Sequence, residues 1–274
     1  MPSIESLLAV LRLQAVSDGR FRGDSLPDGP VIFGGQLLAQ TIVAASAAEP
    51  DKRVKTVHTV FARAGSPEAS LELTVEPLHQ GRAMASSTVT FWQRERGIAR
   101  SQVLMCAEEP DCIRHADGAP VASAPDDPRA RQVDQESWEV RYVDGVDIRN
   151  PDQVLPPELR VWTRFAGAPE DPIISQALLA YATDGFLIGT AMLPHAGVGQ
   201  SQAHVTLSTG VLSHTLTFHE PCSASSWMLL AHHSIYAGHG GSYGQGNVFD
   251  EDGMLVASFI QDAMIRAMHE KSKL

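Results

Sequence analysis

The stretch VHTVFARAG at 57–65 returns as SHTLTFHEP at 213–221, and His214 minus His58 is 156. A second pair keeps that spacing. QRERGIARSQV at 93–103 and FDEDGMLVASF at 249–259 each set a charged turn and a glycine before an apolar strand, and Gly253 minus Gly97 is again 156. Two matches in one order at one offset read as an internal duplication. The period is far longer than a solenoid repeat, so the repeated unit is a whole domain. A chain of 274 residues, 43% of them hydrophobic, has the material for two such cores.

Each half follows one plan. In the first, Gly34-Gly35 opens QLLAQTIVAASAAE, whose Leu37, Leu38, Ile42 and Ala45 have helical spacing, and Pro50 closes it. The strand-like runs VKTVHTVFA, ASLELTVEPL, AMASSTVTFWQ and IARSQVLMC follow, the last two joined by the hairpin turn RERG. A charged stretch with Pro110, Pro120, Pro125 and Pro128 reads as a linker. The second half predicts a helix within 173–190 and then the strands GVLSHTLTFH, SWMLLAHHSIYA, YGQGNVFD and MLVASFIQDAMI. The expected domains are therefore 1–107, a linker at 108–136, and 137–268. A long helix packed on one face of an antiparallel meander, twice over, is an α+β fold.

Charge and cysteine content exclude several classes of function. A net charge of −11 opposes a nucleic-acid partner. Cys106, Cys112 and Cys222 form no C-x-x-C pair and read as reduced thiols. The eleven histidines show no metal-ligand spacing, so no metal or other cofactor is expected. No secretory signal is visible at the start.

Between Pro172 and His219 the only formal charge is Asp184, within ISQALLAYATDGFLIGTAML. The run has the ~20 residues that a bilayer span needs. Asp184 near its middle, with Ser175, Gln176 and Thr183 nearby, favours a core helix of a soluble protein instead. A carboxylate in apolar surroundings suits a general base. Leu255, Ala257, Phe259, Gln261 and Ala263 share one strand face, and Gln261 is its one polar member. At the offset of 156 the first half carries Met105 there. Thr209, Val211 and Ser213 alternate onto one face, so Thr209 or Ser213 is the candidate hydroxyl. GGSYG at 240–244 fits G-x-S-x-G around Ser242, but a hairpin rather than a helix follows it. His58 and His214 read as structural strand residues.

VIFGGQLLAQTIVAA, LLAYATDGFL, MLPHAGVG, SHTLTFHEP and DGMLVASFIQDAMIR together resemble the acyl-CoA thioesterase II family, in order from about Leu7 to Arg266. The resemblance implies a double hotdog fold, each unit a helix wrapped by an antiparallel sheet. It implies hydrolysis of fatty acyl-CoA to free fatty acid and CoA by activated water, without a covalent intermediate. The family's Asp falls on Asp184 and its Gln on Gln261. Its hydroxyl falls on Thr209 counting forward from PHAGVG, and on Val211 counting back from His214. The alternatives are a non-catalytic acyl-CoA-binding protein and a serine hydrolase built on Ser242. The expected partner is an acyl-CoA substrate, with no nucleic acid and no membrane span, and the chain is expected to form a homo-oligomer. The C-terminal Ser272-Lys273-Leu274 matches a peroxisomal address. Against it, 17 arginines to 4 lysines in an alanine-rich chain fit a GC-rich bacterial gene and a cytoplasmic protein.

Overall fold

The two central helices form where the sequence places small and apolar residues on every side. In the computed structural model, which describes residues 3–27, 29–135 and 137–268, a short α1 (Ile4–Leu11) precedes α2 (Gly34–Ala48). α2 is buried on all faces, including Gln36, Gln40 and Thr41, as expected for a helix enclosed by its own sheet. It packs against α3 (Pro172–Thr183). Pro172 starts α3 where no N–H is needed, and the Asp171 carboxylate caps it by accepting from the backbone N–H groups of Ile173 and Ile174. The single helix expected over 173–190 is interrupted. α3 ends at Thr183, and a short α4 (Leu187–Met192) starts after Asp184, Gly185 and Phe186. The Thr183 hydroxyl donates to the Ala180 carbonyl, competing with the helix ladder, and the Gly185 N–H closes back on Ala182. Pro172–Met192 is long and apolar enough to cross a membrane, yet 72% of its apolar window is buried inside the fold. It is a core segment, and Asp184 sits at its break.

The first half contributes β1 (Gln14–Ser17), β2 (Arg20–Gly23), β3 (Arg53–Phe61), β4 (Leu71–Gln80), β5 (Met84–Gln93) and β6 (Arg96–Cys106). The second contributes β7 (Arg131–Gln135), β8 (Trp138–Tyr142), β9 (Glu158–Phe165), β10 (Leu207–Phe218), β11 (Met228–Gly238), β12 (Gly241–Phe249) and β13 (Leu255–Ala267). All lie in one sheet, ordered β1-β2-β4-β5-β6-β3-β10-β13-β12-β11-β9-β8-β7. The segment read as linker thus ends in a strand, β7. The C-terminal Ser272-Lys273-Leu274 lies outside the described residues.

The repeated strand is the seam. β3 and β10 pair antiparallel from Ser213 opposite Val60 to Thr217 opposite Thr56, centred on Thr215 opposite His58. A pseudo-twofold axis through that pair relates residues 157 apart, since 215 minus 58 is 157. Matching bulges, at Lys55 in β3 and Leu212 in β10, keep the same offset. The His-Thr match at 156 is therefore one residue out of structural register, and one residue reverses the face. His58 is exposed on the outer face, where its Nδ1 lies 2.8 Å from Thr215 Oγ1. His214 is fully buried on the inner face.

Candidate active site

A double glycine brings the start of one helix onto the end of the other. A Cβ on Gly35 would collide with the Tyr181 carbonyl, and one on Gly34 would lie 2.7 Å from Asp184 Oδ2. Asp184, at the end of α3, is consequently pressed against the first turn of α2. It accepts the backbone N–H of Gly35. No side chain caps α2, whose cap position is Phe33. The positive end of the helix faces a carboxylate from the other unit.

From the sheet side, Gln261 Nε2 donates to Asp184 Oδ1 at 3.0 Å and meets His214 Nδ1 at 3.3 Å. His214 Nε2 lies 3.1 Å from Thr183 Oγ1. Gln261 and His214 are directly opposed on β13 and β10. Across the seam His214 is opposite Thr59, and Thr59 is opposite Ser101. A polar row of four strands thus runs under the helices. Gln261 Oε1, buried beside Asp184, has no hydrogen-bond partner.

Burial dominates the electrostatics. It pushes the Asp184 carboxyl up to about 7, against the lowering effect of the Gly35 N–H and the Gln261 amide. Burial, with a smaller contribution from the charge of His58, pushes His214 down to about 3, so its imidazole is neutral. Such a site offers a base poised near neutrality, an unfilled acceptor beside it, and the positive end of a helix in the same small space.

Of the residues singled out in the sequence, the structure brings Asp184 and Gln261 into contact and leaves Thr209 away from them. Thr209 is buried on the inner face but opposite Ile265, four residues along β13 from Gln261, or about 13 Å of strand. Val211, opposite Ala263, is the inner-face residue before the bulge. The bulge at Leu212 turns Ser213 to the outer face, where its hydroxyl donates to Asp262 at 3.3 Å. The hydroxyl that the structure joins to Gln261 is that of Thr183, through His214. Ser242 lies within β12, paired to Ala237 and Ala263, with no helix after it. His214, which the sequence presents as a structural strand residue, joins the site, and the polarity argument made for Gln261 applies to it equally. It shares its face with Leu216 and Phe218, and is the polar member of that set.

The equivalent place in the first unit is apolar. Val57 opposite Val103 stands where His214 opposite Gln261 stands. The residue paired with Gln261 across the duplication is therefore Val103 rather than Met105.

Known proteins match this chain over nearly its whole length. The family model for the acyl-CoA thioesterase N-terminal domain matches residues 23–106, and that for the acyl-CoA thioesterase C-terminal domain matches 116–265. Acyl-CoA thioesterase 2 of Haemophilus influenzae is 29% identical over 283 residues, covering 96% of this chain and 98% of the relative. Acyl-coenzyme A thioesterase 8 of Homo sapiens is 26% identical, covering 96% and 90%. Among solved structures, acyl-CoA thioesterase II TesB2 from Mycobacterium marinum superposes with a TM-score of 0.82 at 26% identity, over 96% of this chain and 98% of that one. A hot dog fold protein from Alicyclobacillus acidocaldarius, at 18% identity and a TM-score of 0.77 over 96% and 98%, shares the fold. With both units matched in order, the chain belongs to the acyl-CoA thioesterase family.

Proposed function

We propose that this chain hydrolyses acyl-CoA to free fatty acid and CoA by direct attack of a water held between Asp184 and Gln261. The observation that carries the mechanism is the buried Asp184 carboxylate beside the unpartnered Gln261 Oε1. A water there donates one O–H to each oxygen, which leaves a lone pair for the thioester carbonyl carbon. As the new C–O bond forms, the water's O–H bond breaks and its proton passes to Asp184. Negative charge collects on the carbonyl oxygen, and the positive end of the α2 dipole, which no side chain caps, favours it electrostatically. Collapse breaks the C–S bond, and the departing thiolate takes the proton from Asp184. No covalent enzyme intermediate is required.

Each chain then carries one productive centre, built on residues 137–268, with the first unit, 1–107, supplying the α2 end of the site. The sheet ends at β1 and β7, edge strands of the kind to which a second copy can add, which supports a homo-oligomer. Three unpaired cysteines accord with a cytoplasmic setting.

The test is thiol release from a panel of acyl-CoA esters. Asp184→Asn keeps the shape but cannot take the proton, so kcat is expected to fall on the order of 10²–10⁴-fold. Wild-type turnover in the folded variant would remove Asp184 from the mechanism.

A further inference from the structure

A glutamine amide is nearly symmetrical, and its two orientations present opposite chemistry to a bound water. In the orientation observed, Nε2 faces Asp184 and His214, and Oε1 is left as an acceptor. Turned over, the amide would offer N–H groups to the water and compete with Asp184 for its oxygen. While Asp184 is ionised, it holds the amide by itself, because a carboxylate only accepts. That hold is lost in mid-cycle. Once Asp184 carries the water's proton, its O–H can donate to Oε1, and either orientation satisfies the pair.

We propose that His214 is a positioning residue that locks the Gln261 amide throughout turnover, with Thr183 as its anchor. This rests on the reading of Gln261 as a holder of the water. The polarity of the chain follows from counting protons. The Thr183 hydroxyl gives its single proton to the Ala180 carbonyl, 2.9 Å away, so Thr183 Oγ1 must accept from His214. A neutral imidazole has one N–H, and this places it on Nε2. Nδ1 is then a bare acceptor, and only the NH₂ side of Gln261 can meet it. The lock begins at a helix carbonyl and takes no part in proton transfer, so it is unaffected by the charge on Asp184. Phe259 lies 5.6 Å from the His214 ring in a near-parallel stack and limits rotation of the ring. The first unit, with Val57 opposite Val103, has neither the lock nor the amide.

Two isosteric amides separate this role from simple core filling. In His214→Asn the side-chain oxygen occupies the Nδ1 place and accepts from Gln261. In His214→Gln the amide occupies the Nε2 place, keeps the Thr183 contact and abandons Gln261. Gln is also the closer match in volume, so a purely structural role ranks it at or above Asn. The lock ranks them the other way. We expect kcat of His214→Gln to fall on the order of 10–100-fold, with KM little changed, while His214→Asn keeps the larger share of activity. Equal losses in the two variants, or a loss carried by KM, would overturn the assignment.

The wild-type enzyme supplies a measurement that does not depend on either variant folding. In ¹⁵N-histidine-labelled protein, His214 should show a protonated Nε2 and an unprotonated Nδ1 from pH 5 to pH 9. A proton on Nδ1 would refute the lock. If Asp184→Asn is inactive and His214→Gln turns over normally, the lock alone fails. If Asp184→Asn is active, the water-holding reading fails with it.

Discussion

A carboxylate held in the interior is more stable as the acid, and Asp184 shows what that costs the fold. Its value rises from 3.8 to about 7. Between about pH 4 and pH 7 the native chain keeps a proton that the unfolded chain has released. Stability therefore falls as pH rises through that window, and the loss is complete above it. A shift of about three units corresponds to roughly 4 kcal/mol at most. Asp184→Asn has no such ionisation, so its melting temperature should gain on the wild type's between pH 5 and pH 8. A constant offset would place the carboxyl in a more solvated state. The same group sets the rate profile. The acid limb of kcat/KM is expected to be a single ionisation near pH 7, active in the basic form. His214 and His232, pushed down to about 3 and about 4 chiefly by burial, stay neutral across that limb.

At the scale of elements, the parts of the fold and site that sequence alone revealed are those that depend on period and composition. The helix of Leu37, Leu38 and Ile42 and the strand carrying Gln261 could be read directly. The misplaced polarity of Asp184 and Gln261 could also be read, because one charge in an apolar run stands out whatever its exact neighbours. What escaped depends on a single inserted residue. The bulge at Leu212 reverses strand parity, sends Ser213 outward and leaves Val211 beside the site. No residue type announces a bulge at a leucine. The strands β7, β8 and β9 escaped as well, because they lie among prolines and charges typical of a linker. Two predictions follow from register and close approach. Thr209→Val should leave turnover within about twofold of wild type, since about 13 Å of strand separates it from Gln261. A large loss would mean that substrate reaches further along β10. Gly34→Ala inserts a Cβ 2.7 Å from Asp184 Oδ2. It should destabilise the chain by about 1–3 kcal/mol and reduce turnover on the order of 100-fold by displacing the carboxylate. Denaturant unfolding and steady-state kinetics on one preparation test both effects.

At the scale of the whole molecule, the pseudo-twofold axis at His58 and Thr215 gives every element of the site a counterpart, and each counterpart differs from it in its own way. The start of α3, equivalent to the start of α2, is closed by Asp171, which takes up the N–H groups of Ile173 and Ile174. The sheet positions hold Val57 and Val103 in place of His214 and Gln261. Glu49, at the end of α2, accepts from Gln80 Nε2 at 2.6 Å and pairs with Lys52 at 3.1 Å. The Gln80 bond first, and Lys52 second, hold its pKa below the ordinary carboxylate range, the reverse of Asp184. A carboxylate satisfied in this way is a poor base. The proposed centre in the second unit still depends on the first, because the α2 start that meets Asp184 belongs to the first unit. Titration with a non-hydrolysable acyl-CoA analogue should therefore saturate at one competent site per full-length chain. Two equivalent sites per chain, or residual turnover in Asp184→Asn that disappears only when Glu49 is also replaced by Gln, would show that the apolar pair does not silence the first unit.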